Sequence, residues 1–452
     1  MKLKRDENFR KELFALAIPF ALQALLTSLV GASDALMLGR LTQDAVSAVS
    51  LANQISFIMS LFTSGVVGAA GVLCAQYYGK KDEEMVRKLF SMALRFAFLI
   101  SVIFFALAFF IPEQLMMIFT NESELIAIGA SYLKIVSFSY LFMGMSQCYL
   151  MIMKMDGRAK VSVYISIVTV LVDMFIDFFL IYGIGPAPAL GADGSAYSTI
   201  AVEAVAFIWV VVASYEKGRI HPTFESLKFF SAELEKDMLK IELPMWGSAL
   251  AWGLSISTHS AIIGHLGRDM AAAYAVTNVA TSLVQCLGHG FASGLGIMIG
   301  GLLGKNELEK AKEYGHRSWI VSSIIGFVNI VLVAIVGVVV YEFYVLEPAA
   351  KHILVIMIAY NMLYMFAFSF NTIFTCGVFP AGGDAKYDAI SVFIATWCIA
   401  IPISALGAFV FHWPPIIVYF VMCFDEIGKF PVLIPRYKKY IWLKNLTREE
   451  TV

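Results

Sequence analysis

Apolar residues run along this chain in blocks, not in the alternation of a strand or the one-sided stripe of a surface helix. Twelve blocks of about 20 residues or more follow one another, at 13–38, 45–75, 89–111, 124–153, 160–183, 194–215, 238–265, 270–303, 317–341, 351–379, 387–411 and 413–435. Each is long enough for a helix to cross a bilayer. The polar breaks at 39–44 and 265–269 are so short that the flanking helices must form tight hairpins. An all-α integral membrane protein of twelve transmembrane helices is the expectation.

Composition agrees. Of 452 residues 59% are hydrophobic and 15% charged, with mean hydropathy +0.77, where a soluble domain carries about a quarter charged. The net charge of −1 says little about partners, because the charges are sorted by loop. With the N-terminus in the cytoplasm, the termini and alternate loops hold 28 Lys and Arg, whereas the opposite loops hold three: Arg40, Arg268 and Lys351. The positive-inside rule then puts both ends in the cytoplasm of a multi-pass plasma (cytoplasmic) membrane protein. The charged start MKLKRDENFRKE leads into an apolar run too long for a signal-peptide core. The six cysteines stand singly in apolar segments and form neither a metal motif nor a disulfide framework.

The chain also repeats itself. At a shift of 225 residues Pro19 meets Pro244, Leu41 meets Leu266, Asp44 meets Asp269, Asn53 meets Asn278, Gly65 meets Gly290, and Gly79-Lys80 meets Gly304-Lys305. Across 19–80 there are 13 identities in 62 gapless pairs. With one more residue of shift, DGRAK at 156–160 meets GGDAK at 382–386. Apolar composition does not align Pro, Asn and Gly. The chain reads as a tandem duplication of six-helix units. An even number of crossings gives both halves one orientation, so the two lobes are related by a pseudo-two-fold axis along the membrane normal. The expected division is an N-lobe at 1–215, a cytoplasmic linker at 216–237, a C-lobe at 238–435 and a cytoplasmic tail at 436–452. Like halves around a central cavity are a transporter architecture, with substrate near the midplane.

Candidate chemistry lies in LVDMFIDFFLIYG at 171–183. Asp173 and Asp177 stand one turn apart on one helix face. A carboxylate at the bilayer centre costs about 2.5–3.5 kcal/mol on insertion scales and calls for a reason. Asp34 is a third acid, in the first span. The bland alternative is polar glue between helices. Pro19 and Pro244 kink their helices, either statically or as bending points between states. The glycines at 65, 68, 71, 290, 294 and 296 suit close helix packing. Asp425, Glu426 and Lys429 are expected to form an internal ion pair near the cytoplasmic edge.

IPFALQALLTSLVGASDALMLGRL at 18–41, AQYYGKKDEEMVRK at 75–88, DFFLIYG followed by LGADGSAYST at 190–199, and the basic tail RYKKYIWLKNL at 436–446 resemble the multidrug and toxic compound extrusion (MATE) family. The likeness covers nearly the whole chain and is looser after residue 240. It implies two six-helix lobes, alternating access, and export of amphipathic organic cations in exchange for H⁺ or Na⁺. No cofactor and no nucleic-acid partner are implied; relatives of this length act as monomers in the bilayer. Asp34 matches the family's first-helix acid in D-x-x-M-x-G, Asp177 its fifth-helix acid, and Thr199 the sixth-helix threonine. Asp173 falls where many members carry Asn, and Glu203, one turn after Thr199, is a further candidate. Family packing would bring the first helix to the fifth. Three acids in one low-dielectric pocket cannot all be charged and would titrate as a coupled unit, binding H⁺ or taking Na⁺ on Asp34, Asp173 and Asp177.

The second half departs from the pattern. Many Na⁺-coupled relatives carry acids in the seventh and tenth helices. PMWGSALAWGLSISTHSAIIG and NMLYMFAFSFNTIFTCGVF have none, which favours H⁺. His259 is the repeat mate of Asp34; with His289 and Asn278 it is a candidate for polar lining in the C-lobe, although a satisfied core histidine is the plainer reading. The alternatives are a flippase for a lipid-linked saccharide, disfavoured by twelve spans and an acidic cavity, and a narrow-substrate metabolite exporter. An embedded enzyme is disfavoured because no HExxH or GxSxG lies in a span, and no Walker A sequence implies ATP.

Overall fold

The computed structural model describes residues 7–38, 41–183, 189–343 and 347–448. Among them, twelve long helical segments follow one another: α1 (Glu7–Leu38), α2 (Gln43–Lys80), α3 (Glu83–Phe110), α4 (Ser123–Met155), α5 (Ala159–Tyr182), α6 (Ala192–Ser214), α7 (Ala232–Gly264), α8 (Arg268–Gly304), α9 (Leu308–Phe343), α10 (Pro348–Ala381), α11 (Lys386–Phe409), and α12, which runs as Pro415–Met422, Phe424–Ile427 and Phe430–Lys438. Ten helices among the described residues are long and apolar enough to cross a membrane. The other two of the twelve are α7, whose apolar run is diluted by Ser, Thr and His, and the interrupted α12. Gly39 and Arg40 lie outside the described residues.

Several helices outrun their apolar blocks. α1 starts at Glu7 because ENFRKE continues the helix beyond the apolar core. The linker expected at 216–237 contains a short helix, Phe224–Lys228, opened by a capping box between Thr223 and Ser226. Two spans change pitch: α10 passes through a π-helical stretch at Ile373–Val378 and α11 through another at Phe393–Ala400. Such widened turns shift the register of side chains and recur at functional sites. Hydropathy has no signal for them.

The duplication is visible in the turns. Lys81 and its repeat mate Asn306 both take positive φ, at 65° and 60°, where α2 and α8 end. Gly157 and Gly383, paired by the DGRAK/GGDAK match, do so at 76° and 81°. Pro19 and Pro244 both lie inside continuous helices.

The chain divides into two compact units. One comprises Gln23–Cys74 and Asp82–Met238. Here Tyr182 at the end of α5 donates a 2.8 Å hydrogen bond to the carbonyl of Met37 near the end of α1. α5 closes on Gly183, whose φ of 66° forms a left-handed cap. The other unit comprises Met1–Leu22, Ala75–Lys81 and Leu239–Val452. Its core joins Phe9, Leu13 and Ala17 of α1 to Phe291, Leu295 and Ile299 of α8 and to Phe374 and Trp442. Gly290 lets α8 approach α1: a Cβ there would lie 2.6 Å from the Ala17 carbonyl oxygen.

The tail forms part of this second unit. Arg436 grips Asp384 with two hydrogen bonds of 2.7 Å. This holds the Arg436 guanidinium above its ordinary pKa, its hydrogen bond to the Asp384 carboxylate being the largest cause. Gln76 reaches the carbonyl of Ala381 at 2.6 Å and accepts from the Leu446 amide at 2.6 Å.

Candidate functional site

In the first unit, α5 presents two contrasting faces. Leu171, Val172, Phe175 and Phe178 are exposed, as lipid-facing side chains must be, whereas Asp173 is buried and Asp177 is 0% exposed. The acids therefore face the helix bundle, where an intramembrane carboxylate is tolerated. α6 lies beside them. Its first turn packs so closely on α5 that a Cβ at Gly194 would lie 2.7 Å from the Leu180 carbonyl oxygen. One turn on, Ser198 donates to Asp173 Oδ1 at 3.1 Å. Glu203 lies within electrostatic reach of Asp173. Thr199 instead donates to its own helix, to the carbonyl of Ser195 at 3.0 Å.

Of the residues singled out from the sequence, Asp173 thus meets α6 through Ser198 and lies within electrostatic reach of Glu203, and Asp177 is buried one turn further along α5. Thr199 sits on α6 with its hydroxyl turned to the backbone. Asp34 lies on α1 and its side chain is outside the described residues, but the Tyr182–Met37 bond packs the α1 segment that follows it against α5. Ser198, rather than its neighbour Thr199, reaches the acid. Choosing between adjacent hydroxyls requires the rotation of α6, which the run GSAYST does not give.

The second unit holds a cavity of about 260 Å³ lined in part by Trp252 and His259 of α7, Tyr274 and Asn278 of α8, Asn361 of α10 and Asp425 of α12. His259 and Asn278 therefore do line a polar pocket. His289 is not among its lining residues; it packs edge-on against Phe368 with ring centroids 5.5 Å apart. The expected ion pair of Asp425, Glu426 and Lys429 forms between two of the three. Lys429 bonds Glu426 at 2.5 Å, and Glu426 also accepts from Asn371 at 2.7 Å. Asp425 takes no part in that bridge and lines the cavity. Neighbours in sequence point about 100° apart on a helix, so the two acids serve different surroundings. Among the described residues no disulfide joins the six cysteines.

The comparisons fit this architecture. The MatE family matches twice, over residues 19–179 and again over 247–406, as a tandem duplication requires. The probable multidrug resistance protein YoeA of Bacillus subtilis is 24% identical over 397 residues, 86% of this chain and 84% of its own length. The uncharacterized transporter YisQ of the same organism is 22% identical over 98% of this chain and 97% of its own. A solved outward-facing conformation of a multidrug resistance MATE family transporter of the MOP superfamily superposes with TM-score 0.86 at 16% identity, covering 95% of each chain. With two family matches spanning most of the sequence and a twelve-helix fold that fits them, this chain belongs to the MatE family of membrane transporters.

Proposed function

We propose that this protein exports amphipathic organic cations across the cytoplasmic membrane in exchange for a coupling cation, H⁺ in preference to Na⁺, by alternating access. The observation that carries the reading is the pair Asp173 and Asp177, buried on the inward face of α5 with Glu203 within electrostatic reach of Asp173. Carboxylates so enclosed must shed charge or acquire a counter-ion. Taking up H⁺ at the outward face neutralises the cluster and releases the drug. Giving it up at the inward face restores the negative charge that draws the next cation. Ion and drug then bind on mutually exclusive terms, which is what coupling requires. Pro19 supports a bending helix: the division of α1 between the two units falls between Leu22 and Gln23, one turn beyond it. The names borne by relatives such as YoeA support the class of cargo. Both termini are cytoplasmic and the protein acts as a monomer.

Ethidium efflux from proteoliposomes, with a pH gradient or a Na⁺ gradient imposed separately, tests this. Wild type exports under the pH gradient alone and Asp177→Asn does not. Drive by Na⁺ alone would overturn the choice of ion. Transport by neither gradient in folded protein would favour a lipid-linked saccharide flippase or a narrow-substrate metabolite exporter.

A further inference from the structure

The cavity of the second unit sets a carboxylate with one unpartnered oxygen beside aromatic walls. Trp252, Tyr274 and Tyr419 contribute rings, with Tyr274 and Tyr419 edge to face at 6.0 Å. The polar wall is fixed from behind. Asn361 donates to the Tyr419 hydroxyl and to the carbonyl of Met357, and accepts from Thr281 at 3.4 Å. Its amide is spent on the protein and holds that wall rigid. Asp425 differs: it is 8% exposed, and its Oδ1 is buried with no hydrogen-bond partner. His259, which lines the same cavity, is as deeply buried, and its Nε2 also has none. The nearby cation Lys429 is already bonded to Glu426. A buried carboxylate oxygen without a donor costs more than a made hydrogen bond returns. It persists where a ligand completes it.

We infer that this pocket is a binding site for a compact organic monocation, with Asp425 as its counter-charge and Trp252, Tyr274 and Tyr419 as its cation–π walls. The lining combines the rings of Trp252, Tyr274, Tyr364 and Tyr419 with one carboxylate, a combination that recognises alkylammonium groups. The volume of about 260 Å³ lies below the range of roughly 300–1,000 Å³ usual for drug-sized ligands, so the pocket selects small cations. The site belongs to a different unit from Asp173 and Asp177. It draws on the proposed function only for the direction of transport.

Tetraethylammonium is the probe, titrated calorimetrically into purified wild type, Asp425→Asn and Ser282→Trp. Ser282 lines the pocket from an exposed position, so the indole fills the cavity without altering charge. Wild type binds saturably, Asp425→Asn at least about tenfold more weakly through loss of the charged partner, and Ser282→Trp not at all. Equal affinity in all three would overturn the inference. So would a wild type that exports ethidium yet binds no tetraethylammonium, and that result would leave the exporter reading standing. Binding that depends on Asp425 in a protein that moves no ethidium under either gradient would keep the site and sink the exporter reading. If Asp425→Asn does not fold, Ser282→Trp decides alone: undiminished binding there overturns the inference.

Discussion

Ser198 and Asp173 are joined across α6 and α5 by a hydrogen bond of 3.1 Å to a carboxylate oxygen, with the same hydroxyl 3.3 Å from the Asp173 carbonyl. Its neighbour Thr199 bonds only its own helix. The hydroxyl that holds the acid in place is therefore Ser198. Replacing it with Ala removes one donor from a charged partner, an effect of about 1.5–3 kcal/mol when the acceptor is ionised. Initial ethidium efflux under a pH gradient is expected to fall about tenfold or more in Ser198→Ala and to change little in Thr199→Val. The reverse order would return the role to Thr199.

The same contact depends on how closely the two helices approach. A Cβ at Gly194 would lie 2.7 Å from the Leu180 carbonyl oxygen and 2.8 Å from its carbon. These are backbone atoms that cannot swing away. Gly194→Val must push the start of α6 off α5, and Ser198 sits one turn further along. We expect efflux to fall as far as in Ser198→Ala although no titratable or hydrogen-bonding side chain has changed, with protein still recovered in membranes. An unchanged efflux rate would show that the α5–α6 spacing is not what positions the acid.

These two positions mark where the sequence stops being readable. Twelve apolar blocks and the aligned Pro, Asn and Gly gave the helices and the duplication, because burial in lipid leaves a run-length signal and close packing demands small residues. Asp173 and Asp177 were legible because a carboxylate in an apolar helix is costly wherever it points. Ser198 was not, since a hydroxyl in a helix is cheap and its direction depends on a rotation set by tertiary packing. Asp425 was missed for another reason. Beside Glu426 and one turn from Lys429 it reads as part of an ion pair, and only the three-dimensional arrangement shows that Lys429 is taken by Glu426. The π-helical stretches in α10 and α11 have no sequence signature at all, as one extra residue per turn leaves the hydropathy profile unchanged.

Trp442 tests the packed tail. It is 0% exposed, stacks on Tyr437 at 5.7 Å and lies against Gly315. Its indole N–H is buried without a hydrogen-bond partner, so the ring contributes through area and shape alone. Trp442→Ala should destabilise the fold by about 3–5 kcal/mol. Trp442→Phe keeps an aromatic ring and removes the unsatisfied donor, and should cost much less. Thermal unfolding in detergent, followed by loss of monodisperse protein, separates the two. Equal melting temperatures for wild type and Trp442→Ala would mean that the tail is not held in solution as it is in this structure.

Gly304 and Gln76 meet more closely still. A Cβ at Gly304 would fall 1.7 Å from the Gln76 carbonyl oxygen, and at the repeat-related Gly79 it would fall 2.1 Å from the Gly301 carbonyl oxygen. Both atoms met are backbone, so an added methyl can be accommodated only by separating the end of α2 from the end of α8. Gln76 also carries the bonds to Ala381 and Leu446, which would be stretched together with the helices. Overpacking of this kind typically costs about 1–3 kcal/mol. At Gly301 a Cβ would meet only the Ala75 carbonyl oxygen, at 3.9 Å, an ordinary contact. Gly304→Ala and Gly79→Ala are therefore expected to lower the melting temperature and to raise hydrogen exchange across Ala75–Lys81, while Gly301→Ala matches wild type. If all three variants behave alike, the glycines at the repeat-related helix ends are not there for close approach, and their alignment in the duplicated halves needs another cause.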